Sequence, residues 1–191
     1  MFDPDQRQSL LALARQSIGH GLETGRALPV SVADYPSLLG EPRACFVTLH
    51  IERQLRGCIG SLEARRPLVE DVAENAFAAA FRDPRFAPLA RHEMSLIDIE
   101  LSVLSRPRPI RFESQQQLLE QLEPGVDGLI LEAGRHRGTF LPSVWQQLPE
   151  PRDFLRHLKI KAGLTADAWP ADIRISRYSS ESFAEPGPTR L

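Results

Sequence analysis

The segment 55–60, Leu-Arg-Gly-Cys-Ile-Gly, contains the residues with the clearest potential for chemistry. Cys58 is a candidate nucleophile, and Arg56 lies two positions before it, on the same face of a predicted strand. A guanidinium beside a thiol favours the thiolate, which is the reactive form of cysteine. Gly57 and Gly60 would allow a ligand or another backbone to approach the strand closely. The alternative is that Cys58 is a small buried hydrophobe and that the glycines admit a neighbouring helix.

Three charged residues elsewhere in the chain could complete such a site. Glu100 lies in the middle of a predicted strand, and it could act as a general base, orient a nucleophile or belong to a buried ion pair. Arg85 follows the end of a predicted helix, and it could clamp an anion or simply belong to a capped turn. Arg137 lies in a loop with a second arginine and offers another anion site. With Ser61, these arginines join Arg56 and the two glycines as candidate ligand-binding residues, whereas Cys58 and Glu100 are the candidate catalytic pair.

The remaining cysteine and the histidines indicate less. Cys45 falls on the opposite, apolar face of the predicted strand pair, so we expect a structural role and no disulfide with Cys58. His50 could approach Cys58 diagonally and form a Cys–His pair. The five histidines share no metal-ligand spacing, and the chain lacks a phosphate loop, a dinucleotide fingerprint and a nucleophile elbow. We therefore expect neither a metal nor a cofactor.

A β-hairpin is the element that must position these residues. Residues 44–51 and 55–61 both alternate between apolar and polar side chains, as half-buried strands do. A three-residue loop at 52–54 pairs Gly57 with Leu49 and brings the apolar faces of the strands together, whereas a two-residue loop breaks this match. In this register Leu55, Gly57 and Ile59 face inward, and Arg56 and Cys58 face outward.

The rest of the chain predicts an irregular alternation of helices and strands. Apolar periodicity indicates helices over residues 6–18, 67–82, 113–122 and 152–164, the first ended by Gly19 or Gly21, and strands over 95–105, 128–132, 139–144 and about 173–178. A hairpin with this arrangement favours the α+β class with a mostly antiparallel sheet over a doubly wound sheet.

Composition limits the functional classes. The chain has 191 residues, of which 42% are hydrophobic and 25% charged, and this fits one globular domain. A net charge of -2 argues against a nucleic-acid surface. No apolar run approaches the roughly 18 residues of a membrane span, and the acidic N-terminus starts no signal-peptide pattern. Two cysteines give no disulfide framework, so we expect a cytoplasmic protein.

Several strings resemble one known family when they are taken in order. They are Leu55-Arg56-Gly57-Cys58-Ile59-Gly60, Asn75-Ala76, Asp83-Pro84-Arg85-Phe86, Glu100-Leu101-Ser102-Val103-Leu104, Arg137-Gly138, Leu141-Pro142-Ser143-Val144, Phe154-Leu155 and Lys161-Ala162-Gly163-Leu164. This pattern is similar to the AMMECR domain family, also called AmmeMemoRadiSam system protein A. The chain departs from it at Ser61, where threonine is common, and at Ser143, where glutamine is frequent.

The resemblance implies a two-lobed α+β domain in which the hexapeptide borders a cleft, together with a Memo-like protein and a radical-SAM protein as partners. It implies no established reaction. We expect the domain to span residues 1–185, with a smaller lobe around 106–145 and a disordered tail at 186–191. Two functions stay open. One is a cysteine-dependent enzyme or subunit acting with these partners through Arg56 and Cys58, and the other is a non-catalytic binding or adaptor module that uses the same cleft.

Overall fold

A computed structural model describes residues 2–185 and divides them into two compact units. The first unit comprises the chain up to Leu104 and the returning segment from Glu181, and the second is Ser105–Ser180. We expected a smaller lobe around residues 106–145, and the second unit covers this range and continues beyond it. The tail expected at residues 186–191 lies outside the described residues.

The first unit packs two helices against a four-stranded sheet. Its elements are α1 (Pro4–Thr24), β1 (Cys45–Ile51), β2 (Gln54–Gly60), α2 (Leu68–Phe81), β3 (Ile97–Leu104) and, after the second unit, β8 (Ser180–Ala184). The strand order is β2-β1-β3-β8, and β1 runs antiparallel to both β2 and β3. Cys45, Val47 and Leu49 of β1 are fully buried in the core that the helices cover. We call the opposite face the outer face; Phe46, Thr48 and His50 lie there and are partly exposed.

The first helix is longer than its glycines predicted. It begins with a capping box, in which Asp3 accepts a hydrogen bond from the Gln6 backbone at 2.8 Å and the Gln6 side chain accepts one from Asp3 N–H at 3.1 Å. The helix continues through Gly21, where a Cβ atom would lie 2.6 Å from the Phe81 ring. The expectation that Gly19 or Gly21 ends it is therefore wrong, because Gly21 serves close packing against α2. Gly25, with a φ of 71°, provides the left-handed residue that ends the helix.

The loop of the β1–β2 hairpin is one residue shorter than predicted. Glu52 and Arg53 have φ values of 52° and 67°, and Gln54 already pairs with Ile51, so the loop has two residues rather than three. The apolar faces match nevertheless, because a bulge at Arg56 shifts the register by one residue. Beyond it the predicted pairs Leu49–Gly57, Thr48–Cys58 and Val47–Ile59 are all present.

The two-residue loop and the bulge expose one of the residues that were predicted to face inward. Leu55, on the turn side of the bulge, is 42% exposed, so the expectation that it packs inward is wrong. Ile59, on the far side of the bulge, is partly buried against the core as expected. The bulge therefore divides β2 into an exposed turn end and an end that packs on the core.

The second unit is built on a separate four-stranded sheet. Its elements are β4 (Arg108–Pro109), α3 (Gln115–Gln121), β5 (Gly128–Ala133), β6 (His136–Phe140), α4 (Pro151–Lys161) and β7 (Arg174–Tyr178). The strand order is β4-β7-β5-β6, with antiparallel pairs throughout. α4 packs on β6, and Phe154 stacks on Trp145 at 3.8 Å between ring centroids in the core of this unit.

The α+β class with mostly antiparallel sheets is confirmed, and most of the predicted helices and strands are present within a few residues. Apart from the two-residue strand β4, which was not predicted, two segments differ. The strand expected at residues 139–144 ends at Phe140, because Pro142 opens a short 3-10 helix there. β8 was not predicted, because its polar Ser-Glu-Ser sequence shows no clear apolar alternation.

Candidate functional site

Cys58 lies on the outer face of the first sheet, and its side chain is partly accessible. It pairs across the hairpin with Thr48, whose hydroxyl donates a hydrogen bond to the sulfur at 3.3 Å. This contact holds the sulfur in a defined position on the outer face. The alternative in which Cys58 is sealed in the core does not describe this position.

The backbone of Cys58 is held by the turn that follows α2. Asp83 is buried, and its carboxylate accepts a hydrogen bond from Cys58 N–H at 2.8 Å. Arg85 donates to the Cys58 carbonyl at 3.1 Å and to the Asp83 carboxylate at 2.6 Å. Because β2 is an edge strand, these backbone groups would otherwise have no partner in the sheet. The turn therefore fixes the position of the cysteine as well as closing the sheet edge.

This turn also places a positive charge beside the thiol. Hydrogen bonds from Arg85 lower the pKa of Asp83 well below its usual range, so the carboxylate stays ionised. The pKa of Arg85 is raised, chiefly by Asp83, with a smaller contribution from the adjacent Cys58 side chain. About half of the Arg85 side chain remains exposed (53%), which leaves part of the guanidinium accessible to an anion.

Arg56, by contrast, is engaged in an ion pair of its own. Its guanidinium binds Glu93 through two hydrogen bonds of 2.8 and 2.9 Å and donates a third, of 3.0 Å, to the Ala87 carbonyl. These contacts with Arg56 lower the pKa of Glu93 to about 2. The guanidinium that lies beside Cys58 therefore belongs to Arg85, whereas Arg56 ties the bulge of β2 to the segment before β3.

The two glycines of the hexapeptide serve close packing. A Cβ atom on Gly57 would lie 2.2 Å from the Ala79 carbonyl oxygen, so the glycine lets α2 approach the sheet. A Cβ atom on Gly60 would lie 2.3 Å from the Phe46 ring. For Gly57 this matches the alternative in which a glycine admits a neighbouring helix.

Ser61 and Cys45 belong to a buried polar network at the start of α2. Asp71 is 2% exposed and accepts hydrogen bonds from Ser61 Oγ at 2.6 Å, Cys45 N–H at 3.0 Å and Asn75 Nδ2 at 3.0 Å. Burial raises the pKa of the Cys45 thiol well above its ordinary value, which keeps it neutral and unreactive. The structural role expected for Cys45 agrees with this environment. Ser61 uses its hydroxyl within the network.

Glu100 lies on the outer face in the same row as Cys58. Thr48 pairs with Cys58 on one side and with Glu100 on the other, so the three residues follow one another across β2, β1 and β3. Within residues 2–185 the Glu100 carboxylate has no hydrogen-bond or ion-pair partner, and its side chain is partly exposed. It is therefore an accessible carboxylate rather than a member of a buried ion pair.

Two other candidates do not join this row. His50 lies on the outer face one alternation from Thr48, but within the described residues it makes no hydrogen bond to Cys58. Arg137 lies in the second unit on β6, where it is exposed and 3.6 Å from the Glu132 carboxylate. No group of three or more histidine, cysteine, aspartate or glutamate side chains in residues 2–185 is arranged to hold a metal ion.

Thr48 and Asp83 are the members of the site that the sequence did not single out. The predicted pairing of Gly57 with Leu49 places Thr48 opposite Cys58, but alternation alone does not show that its hydroxyl donates to the sulfur. Asp83 precedes Pro84 after a predicted helix, and an Asp-Pro pair in that position indicates no more than a turn. An aspartate and an arginine two residues apart in a turn beside an edge strand are the signal that could have identified the clamp.

Comparison with known proteins gives the family. The protein-family model described as AMMECR1 matches residues 11–183 of this chain. Protein MJ0810 of Methanocaldococcus jannaschii is 40% identical over 163 residues, which are 83% of this chain and 81% of that protein. A protein of Methanothermobacter thermautotrophicus is 37% identical over 185 residues, which are 96% of each chain.

A solved structure agrees with this assignment. The crystal structure of uncharacterized protein PH0010 from Pyrococcus horikoshii has a TM-score of 0.79 and 34% identity, covering 96% of this chain and 93% of that one. None of these names states an activity. In residues 2–185 no helix has the length and apolar character needed to cross a membrane. The resemblance that the hexapeptide and the other strings indicated is confirmed, and the chain belongs to the AMMECR1 family.

Proposed function

We propose that Cys58 acts as the nucleophile of a cysteine-dependent reaction on the outer face of the first sheet. The observation that carries this proposal is the setting of the thiol. It accepts a hydrogen bond from Thr48 and lies beside Arg85, while its own backbone is fixed by Asp83 and Arg85. A thiol that is accessible, near a cation and held in one position is prepared to react.

The charges around Cys58 support a particular class of substrate. The accessible part of Arg85 favours an electrophilic group that carries, or develops, negative charge next to the sulfur. In the step we propose, the thiol proton leaves to solvent and the thiolate adds to a carbonyl carbon; the C–S bond forms as the C=O π bond breaks, and its electron pair moves to the oxygen, whose negative charge Arg85 stabilises. This step needs no oxidant. Glu100 supports the proposal because its carboxylate lies on the same face without a protein partner.

The proposed reaction would involve partner proteins. We propose a Memo-like protein and a radical-SAM protein as its partners, and the substrate would be a small molecule or a protein group that one of them delivers. The chain has two cysteines, too few to ligate an iron–sulfur cluster alone. In this proposal any radical step takes place on a partner, and the present chain supplies the nucleophile.

A binding or adaptor module is the second candidate, and one observation favours it. Within residues 2–185 no imidazole or carboxylate hydrogen-bonds to the Cys58 sulfur, which leaves the thiol without the adjacent base found in many cysteine enzymes. In such a module the outer face would hold a partner group through Arg85 and Glu100 without turnover.

Alkylation of the thiols tests the nucleophile. We expect iodoacetamide at about pH 7 to modify Cys58 in the folded protein about tenfold faster than in the urea-unfolded chain, because thiolate is the reacting species. Replacing Arg85→Gln should slow this reaction several-fold, whereas Arg91→Gln at another exposed position should not. Mass spectrometry identifies the modified residue, and buried Cys45 should stay unmodified in the folded state. A folded-state rate at or below the unfolded one would contradict the proposal.

The variant Cys58→Ser separates the two candidates. Co-purification with the Memo-like protein measures binding, and complementation of a deletion strain measures function. Lost complementation with intact binding supports the enzyme, whereas unchanged complementation supports the module.

A further inference from the structure

Lys159 is a buried cation of the second unit. It lies on α4 and is 2% exposed, although lysine is rarely buried without an acidic partner. Its ammonium group donates to the Gln115 side-chain oxygen at 3.2 Å and lies 5.9 Å from the centre of the Trp169 ring. Within residues 2–185 no carboxylate lies within ion-pair distance of it. Burial lowers the pKa of Lys159, since the charged form loses hydration.

The surroundings of Lys159 form a groove on one side of α4. The groove has a volume of about 560 Å³ and is lined from α3 by Gln115 and Gln116 and from α4 by Arg152, Arg156 and Lys159. The spacings of four and three residues place the three cations on one face of the helix. A volume of this size accommodates a small organic molecule.

The groove has more positive charge than its own acids neutralise. Asp153 and Asp167 also line it, against the three cations of α4. Asp167 acts on Lys159 only at a distance, as a minor influence that opposes the effect of burial. A buried ammonium gains most from a counter-ion that reaches it directly, because its desolvation is otherwise uncompensated. An oxyanion in the groove would provide that contact.

We propose that this groove is a binding site for a small organic oxyanion, a carboxylate or a phosphate ester, separate from the Cys58 site. Lys159 and the side-chain amide of Gln115 form its base, and the exposed side chains of Gln116, Arg152 and Arg156 form its rim. The arginines can bind an oxyanion through two parallel hydrogen bonds each, and the lysine provides a point charge. The inference does not depend on the reactivity of Cys58.

Titration with two probes tests the site. Inorganic phosphate and succinate would be added separately to the full-length protein, with the side-chain amide signals of Gln115 and Gln116 followed by NMR. We expect saturable shifts with a dissociation constant in the millimolar range, which corresponds to about -4 kcal/mol at 1 mM. Tighter binding of one probe would identify phosphate or carboxylate as the group that the groove prefers.

Variants on the same helix distinguish a built site from general charge attraction. Lys159→Met keeps the apolar stem and should weaken binding at least about tenfold. Arg156→Gln changes an exposed residue at the rim of the groove, and it should weaken binding several-fold. Lys161→Met, exposed on the same helix, should leave binding unchanged. Shifts that do not saturate, or equal weakening by Lys161→Met and Arg156→Gln, would overturn the proposal.

Discussion

The two cysteines of the first unit are anchored in the same way, yet they have opposite chemical environments. In each case the backbone N–H donates to a buried aspartate, to Asp71 in the first turn of α2 for Cys45 at 3.0 Å and to Asp83 in the turn after α2 for Cys58 at 2.8 Å. Cys45 points into the core and is fully buried, and Cys58 points to the outer face and is partly accessible. The face of the sheet on which each side chain lies therefore separates a buried thiol from an accessible one.

The two aspartates differ in what else they hold. Asp71 joins side chains that are themselves largely enclosed, including Asn75, and its loss would leave several buried donors without acceptors. Asp83 shares its charge with Arg85, which is half exposed and can turn to water. Asp71 therefore stabilises the core, and Asp83 positions a residue at the sheet edge. This difference predicts that replacing each aspartate by alanine lowers the free energy of unfolding by a different amount.

The largest expected effect is on stability. Asp71→Ala should lower the free energy of unfolding by about 3 kcal/mol, because it leaves buried donors unpaired. Asp83→Ala should cost about 2 kcal/mol or less, since Arg85 and the Cys58 N–H can reach solvent. Urea unfolding of both variants, with Asp5→Ala as an exposed control, measures the two costs. An equal or larger cost for Asp83→Ala would remove the proposed distinction between the anchors.

Much of this comparison could be predicted from sequence, because it rests on alternation. The period of two in residues 44–51 and 55–61 predicts Cys45 on the apolar face and Cys58 on the other, and the structure agrees. The pairs Leu49–Gly57 and Thr48–Cys58 were also predictable, because matching apolar faces allow few registers. The alternation of apolar and polar residues was sufficient wherever burial of one face of a strand determines its register.

The predictions that were wrong concern contacts that the alternation of apolar and polar residues does not reveal. A two-residue turn with positive φ values followed by a bulge at Arg56 gives the same pairing of β1 with β2 beyond Arg56 as a three-residue loop. The alternation of apolar residues therefore could not distinguish the two arrangements. Likewise, the choice between Arg56 and Arg85 as the neighbour of Cys58 depends on Glu93, which is 37 residues from Arg56 in the chain. Long-range pairing of charges leaves no periodic signal.

The second expected effect is a dependence on acidic pH. The pKa of Asp83 is lowered in the folded state, so its contribution to stability is present above the ordinary aspartate pKa and is lost as pH falls towards the folded value. Between about pH 5 and pH 2 the wild type should lose stability more steeply than Arg85→Gln, by about 1 kcal/mol after allowance for solvent screening. Urea unfolding over this range checks the slopes, and Arg91→Gln should run parallel to the wild type. Parallel slopes for Arg85→Gln and the wild type would show that the Asp83–Arg85 pair does not stabilise the fold.

The smallest effect tests the sulfur contact, which distinguishes Cys58 from a merely accessible thiol. Thr48→Val keeps the shape and strand propensity of the side chain and removes the hydroxyl that donates to the sulfur at 3.3 Å. We expect a change in the free energy of unfolding of less than about 1 kcal/mol and a several-fold slower alkylation of Cys58 at about pH 7. Ser102→Ala, which removes another outer-face hydroxyl that bonds Ser182 instead, is the matched control and should leave the alkylation rate unchanged. If Thr48→Val and Ser102→Ala react at the same rate as the wild type, the hydroxyl does not stabilise the thiolate, and accessibility alone separates Cys58 from Cys45.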